Sequence, residues 1–480
     1  MNLYHTVLNA LDRTPDAPAV TYEGKTWTYA EFDRDIQRLS RGLHQHGIQP
    51  GSRVGLLLPN DPSFVFSYLA TVRLGATAVP INFTVKELEL AHMIADAEVD
   101  MVIALPTAAS VCVTQPSRRK PLVVTSGEAS DGMISLSSLF LDAGPVPPMY
   151  DAADSLAAAF VYTNAEDGFA RGAVLSHTNI AINAHYSGHV LQLAPGDKNG
   201  AILPLFHTFG ATCSMIASFD YGVELLLINR FKPKDICELI QTVRPTQFCA
   251  VPTMYASILA TDKERAYDLS SVKVWISGGS RLTEHLQLAF EDRIGKEMRQ
   301  GYGLTEAAPV AAANAWEYPK KLDSIGHVLP IFQGGIAGPD GALLPAGEIG
   351  ELCVRGPCVF SGYLNDPQAT RRVLNDGWLH TGDLGWTDAD GDIHLTGRLR
   401  NMFIRAGLNI YPREVERLML TNPDIASVRF ESLPDELYGE QVKATVTGKP
   451  GVTLTEQQLI RFCRSVMAPY KVPKQFVIEG

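Results

Sequence analysis

Within its first 74 residues the chain changes hydrophobic period again and again, and this switching restricts the folds open to it. Val20-Thr21-Tyr22, a Glu23-Gly24 pair and Thr26-Trp27-Thr28 read as a β-hairpin. Thr28 and Glu31 then form a capping box ahead of Tyr29, Phe32, Ile36, Leu39 and Leu43, which recur at helical spacing. Gly47 supplies the stop. Val54 to Leu58 is an aliphatic run suited to a strand buried on both faces, and Ser63 to Leu74 reads as a second helix. Strand, helix, strand, helix is the pattern of a parallel sheet covered on both sides. The predicted class is α/β.

The alternation resumes after a Pro-rich punctuation, Gly144-Pro145-Val146-Pro147-Pro148. Ala157 to Tyr162, Ala201 to Leu205, Val223 to Ile228 and Val272 to Ser277 are strand-like. From about residue 325 the texture becomes short strands with Gly, Asp and Pro turns. Arg413 to Leu420 is helical, and a compact α+β tail follows. A chain of 480 residues is too long for one ordinary core. The boundary falls near Gly397–Asn401. It separates a large domain, 1–397, of helix-covered α/β sheets plus a small β-rich subdomain, from a small α+β domain, 398–480, joined by a hinge.

Composition removes several functional classes. With 46% hydrophobic and 19% charged residues the chain is globular, not disordered. A net charge of −11 argues against non-specific binding to nucleic acid or acidic membrane, which needs clustered Lys and Arg. The seven cysteines are scattered and form no C-x-x-C pair, so buried inert thiols are expected in place of a disulfide framework or structural zinc. The first residues lack a signal-peptide layout, and Arg73 interrupts the best apolar run, Phe64 to Pro80. A cytoplasmic protein without a membrane span is expected.

Several short segments follow one another in a telling order. Ser277-Gly278-Gly279-Ser280 precedes Gln300-Gly301-Tyr302-Gly303-Leu304-Thr305-Glu306; Trp378-Leu379-His380-Thr381-Gly382-Asp383 comes later. Gly397-Arg398-Leu399-Arg400 and Gly407-Leu408-Asn409-Ile410-Tyr411-Pro412-Arg413-Glu414-Val415-Glu416 complete the set. In this order they resemble the adenylate-forming superfamily: acyl-CoA synthetases, luciferases and peptide-synthetase adenylation domains. The resemblance runs from Thr28-Tyr29 to Tyr470-Lys471-Val472-Pro473-Lys474.

The resemblance implies an AMP site of Ser280, Gly301, Tyr302, Gly303, Thr305, Asp383 and Arg398. Asp383 would accept both ribose hydroxyls, as a carboxylate with two acceptor oxygens can. Tyr302 would pack against adenine, Thr305 would touch phosphate, and Glu306 would hold Mg²⁺ through hard oxygen. Taken singly, each has a plain structural alternative: a turn Asp, a core aromatic, a helix-start charge, a solvated Arg. Leu203 to Gly210 resembles the acyl-pocket segment, with Phe206, His207, Phe209 and Gly210 as wall residues. It carries a histidine, as in fatty acyl and aryl CoA ligases, and no Asp to pair an amino-acid amine. His207, Thr305, Glu306 and Arg398 are the expected catalytic set. Arg400 falls at the hinge, and Ala406-Gly407 would leave room for a thiol. AMP or ATP, Mg²⁺ and coenzyme A are the implied cofactors. A carboxylic acid or its acyl-AMP, with CoA or a carrier-protein thiol, are the implied partners; no nucleic acid is.

Two departures qualify the match. The family's phosphate loop is a run of small residues, roughly Y-T-S-G-T-T-G-x-P-K-G, whose N–H groups cradle phosphate. Here it reads Tyr162-Thr163-Asn164-Ala165-Glu166-Asp167-Gly168-Phe169-Ala170-Arg171-Gly172. Thr163, Gly168, Arg171 and Gly172 remain, but two hydroxyl positions have become Glu166 and Asp167. A carboxylate about 4 Å from a phosphate charge costs about 1 kcal/mol in water and up to about 4 kcal/mol at a dielectric near 20. The family also continues past Lys474 into a segment whose last Lys donates during adenylation, while this sequence stops at Gly480, whether by nature or by trimming. Both departures strike the first half-reaction. The expectation is an acyl-CoA synthetase-type ligase with adenylation impaired and thioester formation from acyl-AMP favoured. An ordinary ATP-dependent ligase and a non-catalytic acyl- or AMP-binding subunit stay open beside it.

Overall fold

The computed structural model describes residues 2–114, 120–130, 132–153, 155–163, 170–263, 266–399, 403–405, 408–435 and 439–479. The capping box forms as read: Thr28 accepts from the Glu31 N–H, Glu31 returns a bond to Thr28, and the helix Tyr29–Gln45 follows. Arg53–Leu57 and Thr77–Pro80 pair in parallel across the helix Pro62–Arg73. They sit inside a seven-stranded sheet that ends in the antiparallel pair Ala157–Thr163 and Arg171–Ser176.

The hairpin Pro18–Tyr22 and Lys25–Thr28 does not join this sheet. It pairs in parallel with Glu224–Leu227, at the edge of a second sheet of nine strands. Local pattern identifies the hairpin; its partner lies some two hundred residues away. That second sheet runs inward through Lys198–Ala201, Gln247–Ala250, Val274–Ser277 and Met298–Gly303. One continuous apolar cluster links both sheets through Phe32 and Ile36 of one helix and Phe64 and Leu69 of the next. Each such side chain contributes roughly 1.5–3 kcal/mol of burial.

The strand expected at Ala201–Leu205 is displaced. The observed strand is Lys198–Ala201, and the chain then leaves the sheet. Asn60 supplies the reason: its Nδ2 donates to the Ala201 and Leu203 carbonyls, and its Oδ1 accepts from Leu205 N–H at 2.9 Å. One side chain thus replaces the ladder bonds a neighbouring strand would have given.

The β-rich subdomain is a five-stranded sheet built on Gly350–Arg355, Trp378–Thr387 and Ile393–Arg398. The small domain has its own core, with Val415 and Leu418 of one helix and Leu459 and Cys463 of another against Phe430 and Val446. All seven cysteines are buried and free, as the sequence suggested. Among the described residues, no helix is long and apolar enough to cross a membrane.

Candidate active site

Strands Val274–Ser277 and Met298–Gly303 point their carboxyl ends into one cavity of about 1820 Å³. Ligands in parallel α/β sheets gather at such ends. The far walls come from the β-rich subdomain, through Asp383 and Arg398, and from the small domain, through Tyr411 and Glu440.

Three of the predicted AMP-site residues interlock. The Tyr302 hydroxyl donates to Asp383 Oδ2 at 2.5 Å, and Arg398 Nε donates to Asp383 Oδ1 at 2.7 Å. Asp383 and Arg398 are cross-strand partners, which is why residues fifteen apart in sequence meet. Each carboxylate oxygen carries one fixed donor and keeps acceptor capacity for another. Burial, with Asp383 beside it, pushes the Tyr302 phenol well above its ordinary range, so it stays a donor.

The bend that presents Asp383 is held from behind. Gly382 has φ +77°, and its N–H donates to Glu351 Oε1 at 2.8 Å. Glu351 Oε2 meets His380 Nδ1 at 2.8 Å, and Cys353 Sγ lies 3.4 Å from the same nitrogen. Glu351, Cys353 and His380 could together hold a soft divalent ion, but as bonded they orient the Thr381-Gly382-Asp383 bulge of the strand Trp378–Thr387. Sequence reading missed Glu351, since nothing in its own segment marks it.

Thr305 and Glu306 follow Gly303 in a single 3₁₀ turn. A side chain at Gly303 would meet the Pro309 carbonyl oxygen at 2.3 Å, so the turn closes only on glycine there. Glu306 Oε1 accepts from the Tyr363 hydroxyl at 2.5 Å, and both residues line the cavity. A single cavity-lining carboxylate is a donor set that Mg²⁺, which binds through one or two protein oxygens with water and phosphate, can use.

Thr163 and Arg171 are paired across the antiparallel strands that frame the phosphate loop, and both line the cavity. Gly168, with Glu166 and Asp167, lies outside the described residues, as do Arg400, Ala406 and Gly407. Arg171 Nε donates to Asp366 Oδ2 at 2.7 Å. Asp366 also caps the helix Pro367–Val373, and that backbone N–H bond, then Arg171, holds its carboxyl below the usual range. Gly172 is packed against the Tyr162 ring and Leu364 and does not line the cavity.

On the acyl side the structure divides the predicted four. His207 and Phe209 line the cavity, whereas Phe206 packs edge-on against Phe83 with ring centres 6.2 Å apart. Gly210 lies against the Leu203 and Pro204 carbonyls, where a Cβ would come within 2.3 Å of the latter. Its place is in the wall's backbone, at the start of the π-helix Phe209–Ile216. His207 Nδ1 accepts the Phe209 N–H at 3.1 Å. That leaves the proton on Nε2, an assignment that follows from the bond. Burial lowers the imidazole pKa to about 4, so it is neutral at physiological pH. The rest of this wall includes Cys213, Cys249, Ile276, Gly278 and Val310, none of them charged. Ser280, Gly301, Gly303, Thr305 and Glu306 line the same cavity as this wall and Asp383.

A large α/β domain, a small α+β domain and this cavity together are the architecture of the adenylate-forming class. The AMP-binding enzyme family matches residues 8–364, and the AMP-binding enzyme C-terminal domain matches residues 414–479. The chain belongs to that family, in its acyl-CoA ligase branch. It is 33% identical to a long-chain-fatty-acid–CoA ligase of Bacillus subtilis, over 97% of this chain and 88% of the relative. It is 34% identical to a feruloyl-CoA synthase of an Amycolatopsis species, over 96% and 91%.

Among solved structures it resembles an amide bond synthetase of Marinactinospora thermotolerans, with a TM-score of 0.90 at 27% identity over 100% and 96% of the chains. A double mutant of o-succinylbenzoate CoA synthetase from Bacillus subtilis, bound with its product analogue, gives 0.88 at 26% over 99% and 94%. ATP-bound MatB of Rhodopseudomonas palustris gives 0.75 at 28% over 100% and 94%. Residues 398–480 are about a sixth of the chain. A score of 0.88 therefore asks the small domain to superpose along with the large one.

Proposed function

We propose that the chain joins a carboxylic acid with an aliphatic or aromatic tail to the thiol of coenzyme A through an acyl-AMP, and that it runs the second half-reaction better than the first. The observation that carries the reading is one cavity holding the Tyr302–Asp383–Arg398 cluster at one end and neutral His207 before an uncharged wall at the other. In the first step a carboxylate oxygen attacks the α-phosphorus of ATP and pyrophosphate leaves. In the second a thiol adds to the acyl carbonyl, loses its proton and expels AMP. His207 Nε2–H faces the acyl end as a donor that carries no charge, suited to a carboxylate or carbonyl oxygen. Mg²⁺ held by Glu306 would neutralise phosphate charge during the first step.

The preference between half-reactions draws on two supports. Glu166 and Asp167 stand in the phosphate-loop sequence, where they oppose a triphosphate far more than a monophosphate adenylate. The likeness to the product-analogue-bound synthetase exceeds the likeness to the ATP-bound enzyme, and the small domain presents Tyr411 to the cavity. The likeness to an amide bond synthetase favours an amine as a second candidate acceptor.

One preparation tests the reading. Exchange of labelled pyrophosphate into ATP is compared with consumption of synthetic lauroyl-AMP and feruloyl-AMP in the presence of CoA, products being identified by mass spectrometry. The expected result is a CoA thioester from at least one adenylate and weak exchange. Robust exchange removes the preference. Consumption of neither adenylate removes the ligase reading and leaves a binding subunit, and amide product with an added amine but no thioester moves the acceptor.

A further inference from the structure

Lys471 has only 1% of its side chain exposed, and neither half-reaction as derived above makes use of it. It ends the short turn Pro469–Lys471 of the small domain. Its ammonium lies between two carboxylates that belong to different domains. Glu414 of the small domain is 2.7 Å away, and Glu89 of the large domain is bonded to it directly. Their side chains are 2% and 6% exposed. A buried ammonium costs several kcal/mol unless opposite charges face it, so this arrangement is specific in position.

Each side of the contact is braced within its own domain. Arg405 Nη1 donates to the carbonyls of Tyr470 and Val472 at 3.1 Å each, fixing the turn that bears Lys471. Glu89 lies in the first turn of the helix Glu87–Asp96 and accepts the Lys86 N–H at 3.4 Å through its second oxygen. The same helix meets the frame of the phosphate loop: His92 Nε2 is 2.9 Å from the Ala170 carbonyl, and Asp96 accepts from the Tyr162 hydroxyl at 2.7 Å. A small domain that turns away from this orientation must therefore leave Lys471 with Glu414 alone, or take it to another acceptor.

We infer that Glu89 is a positioning residue, which by accepting Lys471 holds the small domain in the orientation that presents Tyr411 to the cavity and so favours the thiol-transfer half of the reaction. The half-reaction it favours rests on the function proposed above; the clamp itself does not.

Spin labels test the clamp in the full chain. Leu288 of the large domain is 47% exposed and Val452 of the small domain 37%, while the native cysteines are all buried. Leu288→Cys with Val452→Cys gives one pair of accessible sites for a pulsed electron-resonance distance. The parent is expected to show a single narrow distance. Glu89→Gln and Lys471→Met are expected to broaden or shift it, and Glu89→Asp, which keeps a carboxylate on the large-domain side of Lys471, to disturb it less than Glu89→Gln.

In Glu89→Gln and Lys471→Met thioester formation from lauroyl-AMP or feruloyl-AMP should fall by about ten- to a hundred-fold, with AMP affinity within about two-fold of the parent. The unchanged AMP affinity separates lost positioning from lost folding. An unmoved distance in Glu89→Gln overturns the clamp, whatever reaction the chain proves to catalyse. A moved distance with unchanged thioester formation overturns its part in the half-reaction. A parent chain that makes no thioester defeats the proposed function, and the distance still decides the clamp.

Discussion

Asp383 carries one fixed donor on each carboxylate oxygen, Tyr302 on one and Arg398 on the other, so its orientation is set before any nucleotide arrives. Asp383→Ala should therefore weaken AMP, acyl-AMP and ATP alike, by about 1.5–3 kcal/mol for each charge-assisted bond lost. Tyr302→Phe should weaken them less, because Arg398 still orients the carboxylate. Calorimetry with AMP reads both; unchanged affinity in Asp383→Ala would reduce it to a structural residue of its strand. A buried histidine contributes to the pH dependence of stability. His177 is fully buried, its Nδ1 accepts the Leu3 N–H at 3.0 Å, and burial lowers its pKa to about 4. The unfolded chain binds protons first as pH falls below about 6.5, so stability is whole above that value and declines toward pH 4. Urea midpoints measured from pH 7.5 to 4.5 should fall. His177→Gln should flatten the fall by on the order of 2–3 kcal/mol, after any uniform loss has been subtracted. A variant whose profile runs parallel to the parent's would remove His177 as the cause.

Strand ends and the glycines on them decide how wide the acyl wall is. A Cβ at Gly278 would stand 2.8 Å from the Phe209 ring, whose far edge can yield, whereas one at Gly303 would stand 2.3 Å from the backbone oxygen of Pro309, which cannot. At Gly301 the nearest atom is 4.0 Å away. Gly278→Val is thus expected to raise KM for bulky acids at least tenfold, with AMP affinity preserved, while Gly303→Ala loses fold and both ligands. Steady-state kinetics over an acid series beside AMP calorimetry distinguishes the two; equal KM shifts for small and bulky acids would defeat the Gly278 argument. At this scale the sequence was legible where a signal is local. The Thr28–Glu31 box and the strand at Arg53–Leu57 are each read from neighbours in the chain. What escaped depends on distant partners. The hairpin's sheet, the early end of the strand at Ala201 under Asn60, and the support of Gly382 by Glu351 are contacts that no period or motif announces. Phe206 and Gly210 fell to the same limit: a motif marks the segment, but only the π-helix decides which of its side chains face the cavity.

For the molecule as a whole, two domains share one cavity, and the question is which ligand each arrangement accepts. ATP brings charge to the phosphate loop, where the sequence places Glu166 and Asp167, and Arg171 at its edge already donates to Asp366. On the function proposed above, AMP and acyl-AMP would bring their single phosphate to Thr305 instead. ATP should therefore bind less tightly than an acyl-AMP analogue, by about 1–4 kcal/mol for each carboxylate that faces the triphosphate. Because that penalty is electrostatic, it should shrink as ionic strength rises and the screening length falls from about 10 Å at 0.1 M to about 3 Å at 1 M. The two affinities should converge with added salt. Glu166→Thr with Asp167→Thr should bring them together at low salt and raise pyrophosphate exchange, while leaving thioester formation from supplied acyl-AMP where it was. Calorimetry of ATP and of a non-hydrolysable acyl-AMP analogue, in parent and double variant at two salt concentrations, contains the whole test. Convergence in the variant alone assigns the repulsion to these two residues. A gap between ATP and acyl-AMP that survives both salt and substitution would remove repulsion by these two carboxylates as its cause.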